Sequence, residues 1–167
     1  MKKLIITLKL TSALILFPFV NSFAQVNYNL GIGLRGGGYE NGLTLKYFKN
    51  SSTAFEGILG FRPGVFVFTG LFEKHSIAFS EPSLNWYYGL GGHVGGINSN
   101  QDYRRYSGDN YFYNNSSLLL GADAILGLEW AIPEIPFALS LDLHPRLELA
   151  KGPFLDIEPA ISIRYTF

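Results

Sequence analysis

Apolar and polar residues alternate one for one along much of the chain beyond residue 25. The clearest run closes the sequence. Leu155, Ile157, Pro159, Ile161, Ile163, Tyr165 and Phe167 share one parity, and Asp156, Glu158, Ala160, Ser162, Arg164 and Thr166 share the other. The run before it repeats the pattern. Phe137, Leu139, Leu141, Leu143, Pro145, Leu147 and Leu149 face one way, and Ala138, Ser140, Asp142, His144, Arg146, Glu148 and Ala150 the other. A period of two belongs to a strand with two unlike faces. No window keeps the 3.6-residue period of a helix. Six earlier segments, at about 27–37, 42–48, 53–62, 64–74, 83–95 and 117–131, read the same way less strictly, which predicts eight strands. Segment 64–74 is apolar on both faces, so its parity stays open. Turn residues separate the segments: Glu40-Asn41-Gly42, Lys49 to Ser52, Pro63-Gly64, the stretch around Glu81-Pro82, the polar run 97–116, Pro133 to Pro136, and Lys151-Gly152-Pro153.

Composition decides which face is inside. The 167 residues are 47% apolar and 16% charged, where an ordinary soluble domain carries about 25% charge. A small soluble barrel cannot bury so many apolar side chains, and ionised groups recur on the minority face of long strands. Inverting the faces resolves both problems: apolar residues meet lipid and polar residues line a lumen. Strands of about 9–11 residues cross a bilayer when tilted. Closure is then required, because an open edge in lipid leaves backbone groups unpaired. The expected fold is all-β, an eight-stranded antiparallel transmembrane β-barrel over residues 25–167.

Residues 1–24 read as a signal peptide. Lys2, Lys3 and Lys9 precede the apolar stretch Leu10–Val20, and Ser22-Phe23-Ala24 sets small residues before a cut at Gln25. A retained helix would need roughly 20 apolar residues, and Pro18 interrupts a shorter run. Without the signal the chain has 10 basic and 13 acidic residues, a net charge of −3, and no basic patch for nucleic acid. The absence of cysteine excludes a disulfide scaffold, a thiol enzyme, a cysteine-ligated metal and a cysteine-linked lipid anchor.

Loop lengths fit a barrel with both termini in the periplasm. Run 97–116, between the fifth and sixth strands, falls on the external side, and Pro133–Pro136 on the periplasmic side. The other external connections are short. Tyr28, Tyr39, Tyr47, Trp86, Tyr88, Trp130, Tyr165 and Phe167 lie near strand ends, where aromatic girdles belong. The terminal run Ile161-Ser162-Ile163-Arg164-Tyr165-Thr166-Phe167 ends on an aromatic residue with apolar residues at alternate positions behind it. On these residues the chain resembles the small outer-membrane β-barrels of Gram-negative bacteria, the OmpA/OmpX-like class, over nearly all of its mature length. The resemblance implies the outer membrane as location. It also implies that Ile161, Ile163, Tyr165 and Phe167 form the signal read by the barrel-assembly machinery, and that outer-membrane lipid and lipopolysaccharide are the surroundings of a monomer. Pro145 and Pro159 depart from the class's usual strand pattern. With 151–153 as the turn, Pro145 lies opposite Pro159 and Arg146 opposite Glu158. That predicts a bulge or weak spot in the last ladder, unless both prolines aim their missing donors at gaps.

Parity assigns Arg35, Lys46, Glu56 and Arg62 from the early strands to the lumen, and Asp123, Glu129, Asp142, Arg146, Glu148, Asp156, Glu158 and Arg164 from the late ones. An eight-stranded barrel is just wide enough for side chains to fill, and unpaired ions there cost several kcal/mol each. The expectation is an interlocked, plugged interior with two carboxylates over, hydrated, protonated or bound to a cation.

Other motifs are weaker. Gly31-Ile32-Gly33-Leu34-Arg35-Gly36 matches the dinucleotide fingerprint, which needs a following helix; here a hairpin turn follows, so the glycines read as room in a curved wall. Ser140, Asp142 and His144 share a strand face, but successive residues on one face stand about 7 Å apart, too far for a nucleophile and its base. His75, His93 and His144 lack metal-ligand spacing. Asn50-Ser51-Ser52 and Asn115-Ser116-Ser117 fit a glycosylation sequon and read as turn residues. Tyr103, Arg104, Arg105, Tyr106, Tyr111, Phe112 and Tyr113 crowd the long external loop, and Tyr and Arg are the residues of binding hot spots. The functional expectation is a non-enzymatic, structural or surface-binding barrel without cofactor or metal. A narrow channel or carrier, and a lipid-modifying enzyme, are the alternatives.

Overall fold

The computed structural model describes residues 28–37, 41–98, 101–103, 111–113, 115–150 and 153–167. The signal segment, Tyr39, Arg104, Arg105 and Tyr106 lie outside them. Eight strands form a closed antiparallel barrel: β1 (Leu30–Gly37), β2 (Gly42–Asn50), β3 (Thr53–Arg62), β4 (Val65–Ala78), β5 (Glu81–Ile97), β8 (Ser117–Ala131), β9 (Phe137–Glu148) and β10 (Phe154–Thr166). Each pairs with its neighbour in sequence, and β1 pairs with β10 to close the ring. The short strands β6 (Gln101–Tyr103) and β7 (Tyr111–Tyr113) pair with each other as a separate hairpin within the long connection.

Closure rests on the chain termini. Phe167 accepts from the Asn29 amide at 3.0 Å and donates to the Leu30 carbonyl at 2.8 Å. Asn29 and Phe167 therefore lie at one end of the barrel, called here the terminus end. The β3–β4 turn and the β5–β8 connection lie at the other, the loop end.

Alternation runs through every wall strand. Arg35, Thr44, Lys46, Glu56, Thr69, Asp142 and Ser162 point inward and are buried, while Leu34, Phe68, Leu90, Leu126, Leu141 and Ile161 point outward and are exposed. The fourth strand, ambiguous in sequence, resolves to Val65, Val67, Thr69, Leu71, Glu73 and His75 inside, with Phe66, Phe68 and Phe72 outside.

Two local expectations are corrected. The β4–β5 turn is at Phe79-Ser80, ahead of Glu81-Pro82, and both its central residues have positive φ, 52° and 59°. Such a turn matches the strand twist but favours Asn-Gly. Ser80→Gly is therefore expected to stabilise the barrel by about 1 kcal/mol, read as a higher urea midpoint with unchanged slope.

The last ladder is shifted by two residues from the expected register. Pro145 faces Ile157, Pro159 faces Leu143, and Arg146 faces Asp156. The connection is longer than 151–153 because Leu149 and Ala150 leave the strand. The Leu149 amide donates to the Leu120 carbonyl, and the Ala150 amide donates to the Glu148 carboxylate. The β9–β10 register runs without a bulge. The gap lies in the β8–β9 ladder, which lacks the two steps Ala124–Pro145 and Ile125–His144. A proline without an N–H is tolerated where the ladder is already interrupted.

Candidate functional site: the barrel interior

Of the twelve charged residues assigned to the lumen, all but Arg62 are at most 3% exposed. Arg62, at the end of β3, is half-buried at the loop-end rim. The interior groups form two clusters.

Nearer the terminus end, Lys46 from β2 reaches Glu56 at 3.1 Å, Glu73 at 2.8 Å and Glu129 at 3.2 Å. Its ammonium also sits 4.1 Å over the Tyr87 ring. Arg164 from β10 crosses the same space, with Glu56 at 2.5 Å and Glu129 at 3.0 Å. It donates further to Ser140 and Thr44, and Thr44 donates to Glu56. Tyr28 donates to the second oxygen of Glu129 at 3.0 Å, and His75 bonds Glu73 at 2.9 Å. Beside this cluster Arg35 grips Asp142 through both guanidinium nitrogens, at 2.9 and 2.6 Å, and Tyr87 donates to the same carboxylate. Two-pronged pairing of this kind fixes orientation as well as charge.

Toward the loop end, His93 stands between two carboxylates, Asp123 at 2.8 Å and Glu148 at 3.1 Å. His144 and Arg146 approach the other oxygen of Asp123, at 3.3 and 3.4 Å. Asp156 and Glu158 are buried on the adjoining strand.

Apolar side chains pack beside these clusters. Ile58, Leu71, Tyr87 and Ile125 pack together on the β3–β4–β5–β8 side of the interior. Val65, Val67, Ile97 and Leu119 pack beneath the loop end, joined by Phe154.

Sequence reasoning missed Glu73, His75, His93, Tyr28 and Tyr87 as interior partners. The open parity of the fourth segment hid the first two. The possible triad is not assembled: Ser140 accepts from Arg164, and His144 faces Asp123. No group of three metal-ligating side chains occurs among the described residues. The dinucleotide motif lies on β1 and leads to strand β2, with no helix at its end. In the long β5–β8 connection, Tyr103 pairs with Tyr111 and Asp102 with Phe112, so the backbone of the aromatic segments forms the β6–β7 hairpin together with Tyr113. Ile161, Ile163, Tyr165 and Phe167 form an exposed apolar row down the outer face of β10 and its end.

No family model matches the chain, and no curated protein does. Among solved structures, the N-terminal β-barrel domain of Pseudomonas aeruginosa OprF superposes on 84% of this chain and 98% of its own, with TM-score 0.60 and 16% identity. The chain has that domain's fold. The small eight-stranded barrel expected from the sequence is thus found both in this chain's own topology and in its likeness to the OprF barrel.

Proposed function

We propose that the chain is an integral outer-membrane β-barrel without enzymatic activity, its lumen closed by interlocked side chains and its loop end turned outward. The observation that carries this reading is the inverted distribution of residues. Lys46, Arg146 and Arg164 are at most 1% exposed while Leu34, Leu90 and Leu141 are at least 60% exposed. A protein in water would pay heavily for that arrangement, whereas one in lipid gains from it. The fold likeness to the OprF barrel domain supports the same location, in a Gram-negative outer membrane, reached by export with residues 1–24 removed.

Within this reading, the twelve assigned charges act as structural ties that hold eight strands around a filled interior. The row Ile161, Ile163, Tyr165 and Phe167 serves the assembly machinery. The β6–β7 hairpin, carrying Tyr103, Tyr111, Phe112 and Tyr113, is the surface offered to partners, and Arg104 and Arg105, which follow Tyr103 in sequence, suit lipopolysaccharide phosphates.

The outward face gives the test. Leu141→Arg places a charge on the outer wall and should cost about 2 kcal/mol in lipid vesicles. Urea unfolding in vesicles, followed by heat-modifiable gel mobility, reports the loss as a lower midpoint. An unchanged midpoint would mean that this face does not meet lipid.

A further inference from the structure

The side chain of His93 spans three strands. In the paired register His93 on β5 lies opposite Gly121 on β8, and Gly121 lies opposite Glu148 on β9. The imidazole passes over the bare backbone of Gly121, where a Cβ would stand 2.5 Å from its Cε1 atom. That route lets Nε2 reach the Glu148 carboxylate at 3.1 Å, while Nδ1 meets the Asp123 carboxylate at 2.8 Å. Two carboxylate acceptors require two N–H donors, and only the protonated ring has both. A neutral ring would turn a lone pair toward one of the carboxylates.

This bridge sits where the wall is weakly connected. The gap in the β8–β9 ladder leaves three paired steps on its loop-end side: Gly121–Glu148, Ala122–Leu147 and Asp123–Arg146. His93 ties both strands of that short segment to β5, through Asp123 on β8 and Glu148 on β9. The second oxygen of Glu148 accepts from the amides of Leu120 and Ala150, so the bridge also steadies the start of the β9–β10 connection. The other charged groups around it come from β9 and β10. His144 and Arg146 approach the far oxygen of Asp123, and Asp156 and Glu158 are buried on β10. On β4 the residue opposite His93 is Thr69, which carries no charge. Loss of one proton from His93 therefore leaves Asp123, Glu148, Asp156 and Glu158 with one positive charge fewer among them.

We propose that His93 is a proton-controlled latch: the doubly protonated ring holds the loop-end segment of the β8–β9 seam shut, and its deprotonation lets that segment part. A histidine released to water gives up its proton at about pH 6.5. The latch therefore contributes in full below about pH 6.5 and progressively less as pH rises above it.

The test uses the mature chain refolded in non-ionic micelles and followed by NMR. Ring nitrogen shifts at about pH 6 should show both nitrogens of His93 protonated. Hydrogen-exchange protection factors, which remove the intrinsic pH dependence of exchange, report the seam. Those of Leu120, Leu149 and Ala150 should fall about tenfold between about pH 6 and about pH 8.5, while those of Leu128 and Leu141, beyond the gap, stay within about twofold. His93→Gln should have the lowered protection at both pH values. Glu148→Gln separates a latch from a merely structural contact. Its amide nitrogen donates to a neutral Nε2 while its oxygen still accepts from Leu120 and Ala150, so protection should stay high at both pH values. The parent's pH series and Glu148→Gln carry the test even if His93→Gln fails to refold. The proposal is overturned by a bare ring nitrogen at about pH 6 or by protection in the parent that does not change with pH. An equal fall with pH in His93→Gln, or a pH-dependent loss in Glu148→Gln like the parent's, also overturns it.

Discussion

Arg164→Met should lower the unfolding free energy by about 3–5 kcal/mol, the cost of leaving buried charge without its partner. Arg164 has no exposed surface and touches Glu56 and Glu129 directly. Its removal leaves three carboxylates, Glu56, Glu73 and Glu129, around Lys46 alone. Methionine fills similar volume, so the loss reports charge and hydrogen bonds rather than a cavity. Adding Glu56→Gln should recover part of the loss, because one of the stranded charges is then gone. Urea unfolding in vesicles measures both variants. A loss below about 1 kcal/mol, the usual size for exposed pairs, would mean that water reaches these carboxylates and that the lumen is wet.

Gly33→Ala should be nearly as damaging, while Gly36→Ala three residues away should be almost silent. A Cβ at Gly33 would stand 1.8 Å from the Ile163 carbonyl oxygen, a backbone atom of the strand that closes the ring. No rotamer change relieves that contact, so β1 must move away from β10. The expected cost is about 3 kcal/mol, the upper part of the range for overpacking. At Gly36 an added Cβ meets nothing within 4 Å, and the change should stay within about 0.5 kcal/mol. The comparison also explains the glycine spacing of β1. Gly33 is needed because two backbones approach at the closing seam, and no ligand phosphate enters the account. Comparable losses at both positions would contradict this, since the seam alone predicts a difference.

The strands were legible because a barrel wall with an apolar outer face and a polar inner face imposes a strict period of two on its strands. Strands β9 and β10 show this best, and their inward residues Asp142, Arg146, Glu148, Asp156, Glu158 and Arg164 are buried. The fourth strand was not legible in the same way. Its inward face near the loop end carries Val65 and Val67, which cover the interior, so hydrocarbon lies on both sides of the wall. That left Glu73 and His75 without an assigned face, although Glu73 is one of the carboxylates on Lys46. The last register was misjudged for a different reason. Lys151-Gly152-Pro153 falls between the two strands, but β9 ends at Glu148, and the Ala150 amide already bonds back to the Glu148 carboxylate, so the connection begins earlier. Turn composition locates a loop without fixing its length. The interior pairings themselves, such as Arg35 with Asp142, depend on how eight strands are staggered, which no single strand encodes.

The central claim is a closed lumen. It predicts that ions have no continuous path, because the interior charges are tied to one another and Ile58, Leu71, Ile125, Val65, Val67, Ile97 and Leu119 are buried beside them. Single-channel recording of the refolded mature protein in a planar bilayer tests this most directly. The account predicts a silent membrane from protein whose heat-modifiable mobility shows it to be folded. Stable, reproducible conductance steps from the same preparation would contradict it, and would make the interior charges the lining of a channel.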